Sequence, residues 1–433
     1  MADKPNIAIV GGGIAGLTLA IGLLKHDVPI TLYEAASHFG EIGAGVGFGP
    51  NSVRAMTLLD PEIKEGFLRR KTANQWPSHE KLWFSCRVGD ARYKFSEGSQ
   101  VGDLVCDVEF TNPNSRGGVH RAHFLDEMVK LVPEEMSQFG KKLVDIGDAE
   151  DGSGDVLLKF ADSTEAQHTA VIGCDGIKSR TREILLGKDD PAAKAVFSGK
   201  YAYRGLVPMG KAIELLGEEK ALNSQLYFGY HGHVLTFPIE KGETMNAVVA
   251  FASRAAWPSK EWVVHTTKDE MLEDFADWGP TVHSIISLMQ KPDIWALFNH
   301  PPASTYHKKR ICILGDAAHA STPHQGAGAG MAIEDAYILT NLVGDAVKAG
   351  TGVAGLETAF EAYDLVRRPR TQNLVETSRE ASMLYDFELE GDDLEAVERN
   401  IRSRMGWIWD VNLPAELERA RGIVKCRKDS HTV

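Results

Sequence analysis

The chain reads as an α/β protein in which a parallel-strand domain is interrupted by an antiparallel sheet and followed by a helical C-terminal region. Three observations predict this. Gly11–Gly16 and Gly326–Gly330 each stand between an apolar strand-like run and a segment of helical periodicity. Between them, residues 195–253 change to alternating strand-like runs joined by short turns. Beyond about residue 366 the charge pattern and periodicity are helical.

The N-terminal unit is the most regular. Asn6–Val10 is apolar and β-branched, G-x-G-x-x-G follows at Gly11, Gly13 and Gly16, and Ile14, Leu17, Ile21 and Leu24 repeat at helical spacing. A second strand, Pro29–Tyr33, ends in Glu34, 23 residues past Gly11 and near the separation of about 20 expected for a carboxylate on a ribose hydroxyl. The unit predicts a bound dinucleotide: Gly11 permits the tight turn, Gly13 admits the pyrophosphate, and Gly16 packs helix on strand. Its binding set is Gly11, Gly13, Ile14, Ala15, Gly16 and Glu34. Residues 7–24 are uncharged and approach the ~18 apolar residues of a membrane span. Three consecutive glycines, without a basic leader or cleavage site, argue against that reading.

Composition narrows the function classes. At 433 residues, 43% hydrophobic and 25% charged, the chain has material for two or three globular domains. A net charge of −13 argues against a nucleic-acid surface. Five scattered cysteines without C-x-x-C predict free thiols in a reducing, cytoplasmic compartment. No metal site is expected, because His231 and His233 lack partner ligands at suggestive spacing, and His431–Val433 is no peroxisomal signal.

Along the chain, Gly40–Pro50 reads as a glycine-rich loop, against a flat ligand or merely a mobile connection, and residues 81–96 as strand, turn and strand about Gly89-Asp90. Phe124, Leu125, Met128, Val129 and Leu131 mark a helix; Ala170–Ile172 is a strand ending in Cys174-Asp175-Gly176. A further strand, Arg310–Leu314, precedes Gly315-Asp316 and a helix with Ala332, Ala336, Leu339, Val343 and Val347 on one face. The expected organisation places the cofactor domain at 1–80, 105–190 and 301–365. Strands of the substrate domain fall at 81–104 and its body at 191–300, with a helical region over 366–433.

With these clusters in order, the chain resembles the single-component flavoprotein aromatic hydroxylases, the group that includes para-hydroxybenzoate hydroxylase, over almost its whole length. The resemblance rests on Gly11–Gly16, on Cys174-Asp175-Gly176 with Ser179 and Arg182, and on Gly315-Asp316 with Pro323. Within the group it is most similar to salicylate hydroxylases and their fungal relatives, through Glu41–Asn51, His120–Phe124, Tyr203–Val207, Pro323–Gly328 and Arg367–Arg370. It implies a Rossmann-like FAD-binding domain of the para-hydroxybenzoate hydroxylase type, an inserted antiparallel-sheet substrate domain and a C-terminal helical region. FAD is the implied cofactor, NADH or NADPH the transient reductant, and a small aromatic compound and O2 the substrates. Glu34 then binds the adenosine ribose, Asp316 the ribityl chain, and Arg121 contacts the cofactor. Asp175 supports pyrophosphate binding and domain packing, while Pro323, Gly326, Gly328 and Ala329 complete the cofactor loop. Gly326–Met331 is no second dinucleotide motif, so the reductant binds without its own Rossmann domain.

The implied chemistry is oxygen transfer from a flavin hydroperoxide to an electron-rich ring, which is fastest when a phenol is ionised. His324, inside the cofactor loop, is the candidate base, since imidazole titrates near neutrality. His319 is expected to pack or cap. Arg204 is the candidate for orienting an acidic or phenolate substrate, with Phe237, Tyr227 and Pro323 lining the pocket, and Tyr203 and Trp83 as further walls. The expected reaction is salicylate to catechol with loss of CO2; the alternatives are hydroxylation or dearomatisation of another phenol. Phe237, where some dearomatising relatives carry tyrosine, favours the first. A flavin-dependent oxidase or dehydrogenase is the competing class. Trp407, Trp409 and Leu413 are placed to dock the tail on the body or on a second subunit of a homodimer.

Overall fold

The computed structural model describes residues 5–40, 45–110, 116–252, 255–289 and 293–430. Residues 41–44 of the glycine-rich stretch and the terminal His431–Val433 lie outside them. Fully apolar runs with β-branched residues suit strands buried on both faces, and Ile7–Val10, Ala170–Gly173 and Ile311–Ile313 are parallel neighbours of that kind. They form the centre of a six-stranded sheet ordered His307–Lys308, Ile311–Ile313, Ala170–Gly173, Ile7–Val10, Ile30–Tyr33, Ser137–Gln138. Helices Ile14–Lys25 and Gly328–Lys348 pack against it, burying Leu17, Ile21, Ile333 and Leu339. A meander of Leu143–Asp148, Val156–Phe160 and Glu165–His168 packs on Tyr33 and Val171.

The second body is an eight-stranded sheet. Its order is Val263–His265, Asp293–Asn299, Val196–Pro208, Thr244–Ala252, Gly232–Ile239, Gln225–Gly229, Leu82–Val88, Leu104–Glu109. All neighbours are antiparallel except Gln225–Gly229 beside Leu82–Val88. Strand alternation gives it two distinct faces. Phe84, Cys86, Leu226 and Phe228 meet the C-terminal helices, whereas Tyr201, Tyr203, Tyr227 and Val234 meet Phe275, Trp278 and Ile285 on the other side.

Four expectations are corrected. The partner of Leu82–Val88 is Leu104–Glu109, not residues 91–96, because Asp90 accepts from the Arg92 and Tyr230 main-chain N–H groups and ends the strand in a turn. The boundary expected between residues 104 and 105 therefore falls at the start of a substrate-domain strand. The stretch expected as a loop contains a strand, Gly45–Phe48, paired antiparallel with Gly117–His120. Residues 365 and 366, expected to mark a boundary between regions, lie inside one helix, Gly352–Tyr385, that continues through Pro369.

The tail is docked on its own chain. Trp409 stands 2.9 Å from where a Cβ on Gly49 would sit and contacts Trp83 and Phe110 edge-on, while Leu413 is buried in the main core. Arg370 donates to the Trp407 and Ile408 carbonyls, and Arg367 to Glu334, Asp335 and Glu416.

Candidate active site

Three loops leave the C-terminal ends of three adjacent parallel strands, the place where open α/β sheets bind ligands. Gly11 (φ +106°) could carry no side chain: a Cβ would lie 2.4 Å from the Cys174 carbonyl oxygen, and one on Gly16 would lie 1.9 Å from the Gly11 carbonyl oxygen. The first turn is thereby pressed against the Asp175 loop. Gly315 in turn stands against Ala15 and Ala332. Gly13, Ile14, Ala15 and Asp316, far apart in sequence, share one rim with the start of the Gly328–Lys348 helix.

That rim has the chemistry to hold a dinucleotide. Neither the helix at Ile14 nor the one at Gly328 has a side-chain cap or an acidic residue in its first turn, so their N–H groups and dipoles are open to an anion or a carbonyl. Glu34 lies at the mouth of the glycine turn, accepting from the Gly12 N–H at 2.7 Å and the Ala36 N–H at 2.8 Å. Asp316 is exposed at the first position of a four-residue helix. Gly326 adopts a left-handed conformation that turns the chain into the second helix, where Gly328 and Ala329 are half-buried.

Asp175 is occupied differently. Its carboxylate accepts from the Ser179 hydroxyl (2.5 Å), the Thr181 N–H (2.9 Å) and the Thr181 hydroxyl (3.1 Å), which fixes the start of the helix Arg180–Leu186. Burial nevertheless raises its pKa. The buried Arg182 then donates to the carbonyls of Ala192, Pro301, Ala317 and Ala318, tying the Asp175 loop to the Asp316 loop. Three hydrogen bonds within its own loop make packing the visible task of Asp175.

The eight-stranded sheet faces this rim with one of its two sides. Phe237 reaches the Gly45–Phe48 ribbon, 2.8 Å from where a Cβ on Gly45 would be, and Trp83 covers Gly47 and Gly326. Arg204 lies on the same side, its guanidinium 5.0 Å from the centre of the Trp295 ring. Burial lowers its pKa, and the neighbouring charge of Arg121, the exposed first residue of the helix Arg121–Val129, lowers it further. Among the described residues no carboxylate pairs with Arg204. Tyr227 is a correction: one residue out of phase with Leu226 and Phe228, it points to the far face and packs with Trp278 and Val234. Tyr203 shares that face, donating to Asp274 at 2.6 Å.

The cofactor loop presents Pro323 outward and turns His324 inward. Among the described residues neither ring nitrogen of His324 has a hydrogen-bond partner. Burial holds its pKa well below the usual histidine value, His233 and Lys200 push the same way, and the Ser378 main chain opposes weakly. His319 is a buried core residue whose Nε2–H donates to Asp335 at 2.6 Å. Sequence reasoning passed over His233 as a site residue, and over Asp386 and Lys200, which lie behind His324. Only the two-residue phase shared by His233 and Phe237 on one strand signalled any of them.

The FAD-binding domain family matches residues 137–378, and an NAD(P)-binding Rossmann-like domain matches residues 9–44. A 6-methylsalicylate 1-monooxygenase of Aspergillus terreus is 41% identical over 95% of this chain and 90% of its own. This chain is an FAD-dependent aromatic monooxygenase. A salicylate hydroxylase of Pseudomonas putida is 38% identical over 97% of this chain and 95% of its own. A solved salicylate hydroxylase substrate complex superposes with a TM-score of 0.84 at 34% identity, covering 97% of this chain and 98% of that one. An Aspergillus niger FAD-dependent monooxygenase is 40% identical over 98% of both chains. As a member of this family the monooxygenase uses FAD, with NAD(P)H as reductant. No described helix is long and apolar enough to cross a membrane.

Proposed function

We propose that this monooxygenase hydroxylates a 2-hydroxybenzoate at its carboxyl-bearing carbon, releasing CO2 and leaving a catechol, with salicylate as the parent substrate. Arg204 carries the reading. A half-buried guanidinium without a counter-ion among the described residues, beside a second arginine, is suited to an anion, and a ring carboxylate matches it in charge and shape. Phe237 and Trp83 offer flat apolar walls for the ring, and the relatives named for salicylate and 6-methylsalicylate act on acids of this class.

Bound FAD, once reduced, supplies the activation of O2. Glu34 and Asp316 would hold its two sugar-like portions, with the N–H groups at Gly11–Gly16 on the pyrophosphate and those at Gly328 and Ala329 near its ring. The side chains do the rest: Arg204 orients the carboxylate, Phe237 and Trp83 exclude water, and His324 accepts the phenolic proton so that the ring is attacked as a phenolate. The assay is direct. FAD-loaded enzyme given salicylate, 6-methylsalicylate and non-carboxylated phenols should couple NAD(P)H oxidation to catechol and CO2 for the acids alone. Peroxide without catechol from every acid, or turnover confined to neutral phenols, rejects the proposal in favour of another substituted phenol.

A further inference from the structure

Behind His324 lies a buried cluster that the proposed reaction has not yet used. His233 stands edge-on to His324, ring centres 5.1 Å apart, on the same face of its strand as Phe237. Its Nδ1 is 2.7 Å from Asp386 Oδ1; a carboxylate only accepts, so Nδ1 carries the hydrogen and Nε2 is left to take a proton. Lys200 donates to the other Asp386 oxygen and, at 3.0 Å, to Glu388. Glu388 meets the exposed His231 at 3.1 Å, and Tyr385 stands edge-on to the His233 ring while donating its hydroxyl to the His324 carbonyl. The charges are unbalanced. Two carboxylates face one lysine, so the cluster has room for one more proton, and His324, with no counter-ion of its own, is a poor place to keep it.

We propose that the proton leaving the substrate hydroxyl comes to rest on His233, held by Asp386, with His324 as the neutral carrier between them. The substrate O–H bond breaks and its electron pair stays on the phenolate. His324 gains that proton on one ring nitrogen and gives up one from the other to His233 Nε2, so no charge persists on His324. Lys200 and Glu388 set the charge of the cluster, and Glu388 with His231 leads from it to solvent. This rests on the phenolic-acid reading of the site.

The test uses 5-nitrosalicylate, whose phenolate absorbs in the visible, bound to the oxidised FAD-loaded enzyme across a pH series in weak buffer with a proton indicator. Wild type should bind it as the phenolate without net proton release. D386N should move the onset of the phenolate band upward by at least one pH unit and release one proton per phenolate formed; E388Q should shift it the same way by less. Benzoate affinity should not change in either variant. Identical onset and proton count in all three enzymes overturns the proposal. If D386N does not retain FAD, E388Q, altered only at the cluster's outer end, decides alone. A wild type that never binds the probe as phenolate rejects the phenolic-acid reading, and the proposal with it.

Discussion

The two faces of the eight-stranded sheet are built from the same strands and do opposite things. On the far face the Tyr201 and Tyr203 hydroxyls converge on Asp274, and the rings fill a core with Phe275 and Trp278. On the face toward the cofactor loops, Arg204 has no carboxylate partner among the described residues and His324 has two unused nitrogens. A charged or titratable group held away from water without a partner is expensive, and Arg204 and His324 put that cost on the side that we propose a ligand completes. A single-residue step along a strand separates the two roles.

The contrast is sharpest at Arg204. Arg204→Met should lower kcat/KM for a carboxylated phenol at least 100-fold, about 3 kcal/mol, with FAD content unchanged. Equal activity would remove Arg204 from the site. Next in size is the acid response of the cofactor side. His300 is pushed down to about 3 by burial and by Arg182, and His324 is lowered as well. Below the ordinary value of 6.5 the unfolded chain binds a proton at each site that the folded chain refuses. Stability therefore rises with pH and is lost as pH falls from 6.5, for His300 down to about 3. Urea melts at pH 7 and pH 5 should differ by about 2 kcal/mol for such a histidine, and His300→Phe should remove its share of that slope.

Effects on the far face should be smaller and confined to stability. Tyr203→Phe takes one of two hydroxyl donors from Asp274 and should cost about 1 kcal/mol in thermal or urea unfolding, with turnover within about twofold of wild type. Tyr227→Phe removes a buried hydroxyl that has no partner among the described residues, so stability should stay level or rise slightly. A drop in turnover of tenfold in Tyr227→Phe would contradict the assignment of this residue to the far face.

Much of the cofactor rim was legible in one dimension because its physics is local. A tight turn, a close strand-to-helix approach and an acid at the end of the next strand each constrain a few neighbouring residues, and Gly11, Gly16 and Glu34 stand where those constraints put them. The helix at Gly328 and the strands between residues 196 and 252 were legible through periodicity for the same reason. The pairing of Leu82–Val88 with Leu104–Glu109 was not, since the Asp90 turn and 15 intervening residues separate them. Tyr227 and Phe237 looked equivalent as strand aromatics, and only the register of two strands assigns them to opposite faces. Asp386, at the end of a 34-residue helix, carries no motif at all.

By itself, then, the sequence determined the α/β class, the order of the three cofactor motifs and the family to which they belong, because each rests on contacts within a loop or on a repeat along one element. The tertiary structure decided which face of the sheet turns toward the cofactor loops, that Asp175 is occupied by its own loop, and that His324 has His233 and Asp386 behind it. Those depend on strand register and on charges brought together across more than a hundred residues, where burial, not proximity in the chain, sets what each group can do.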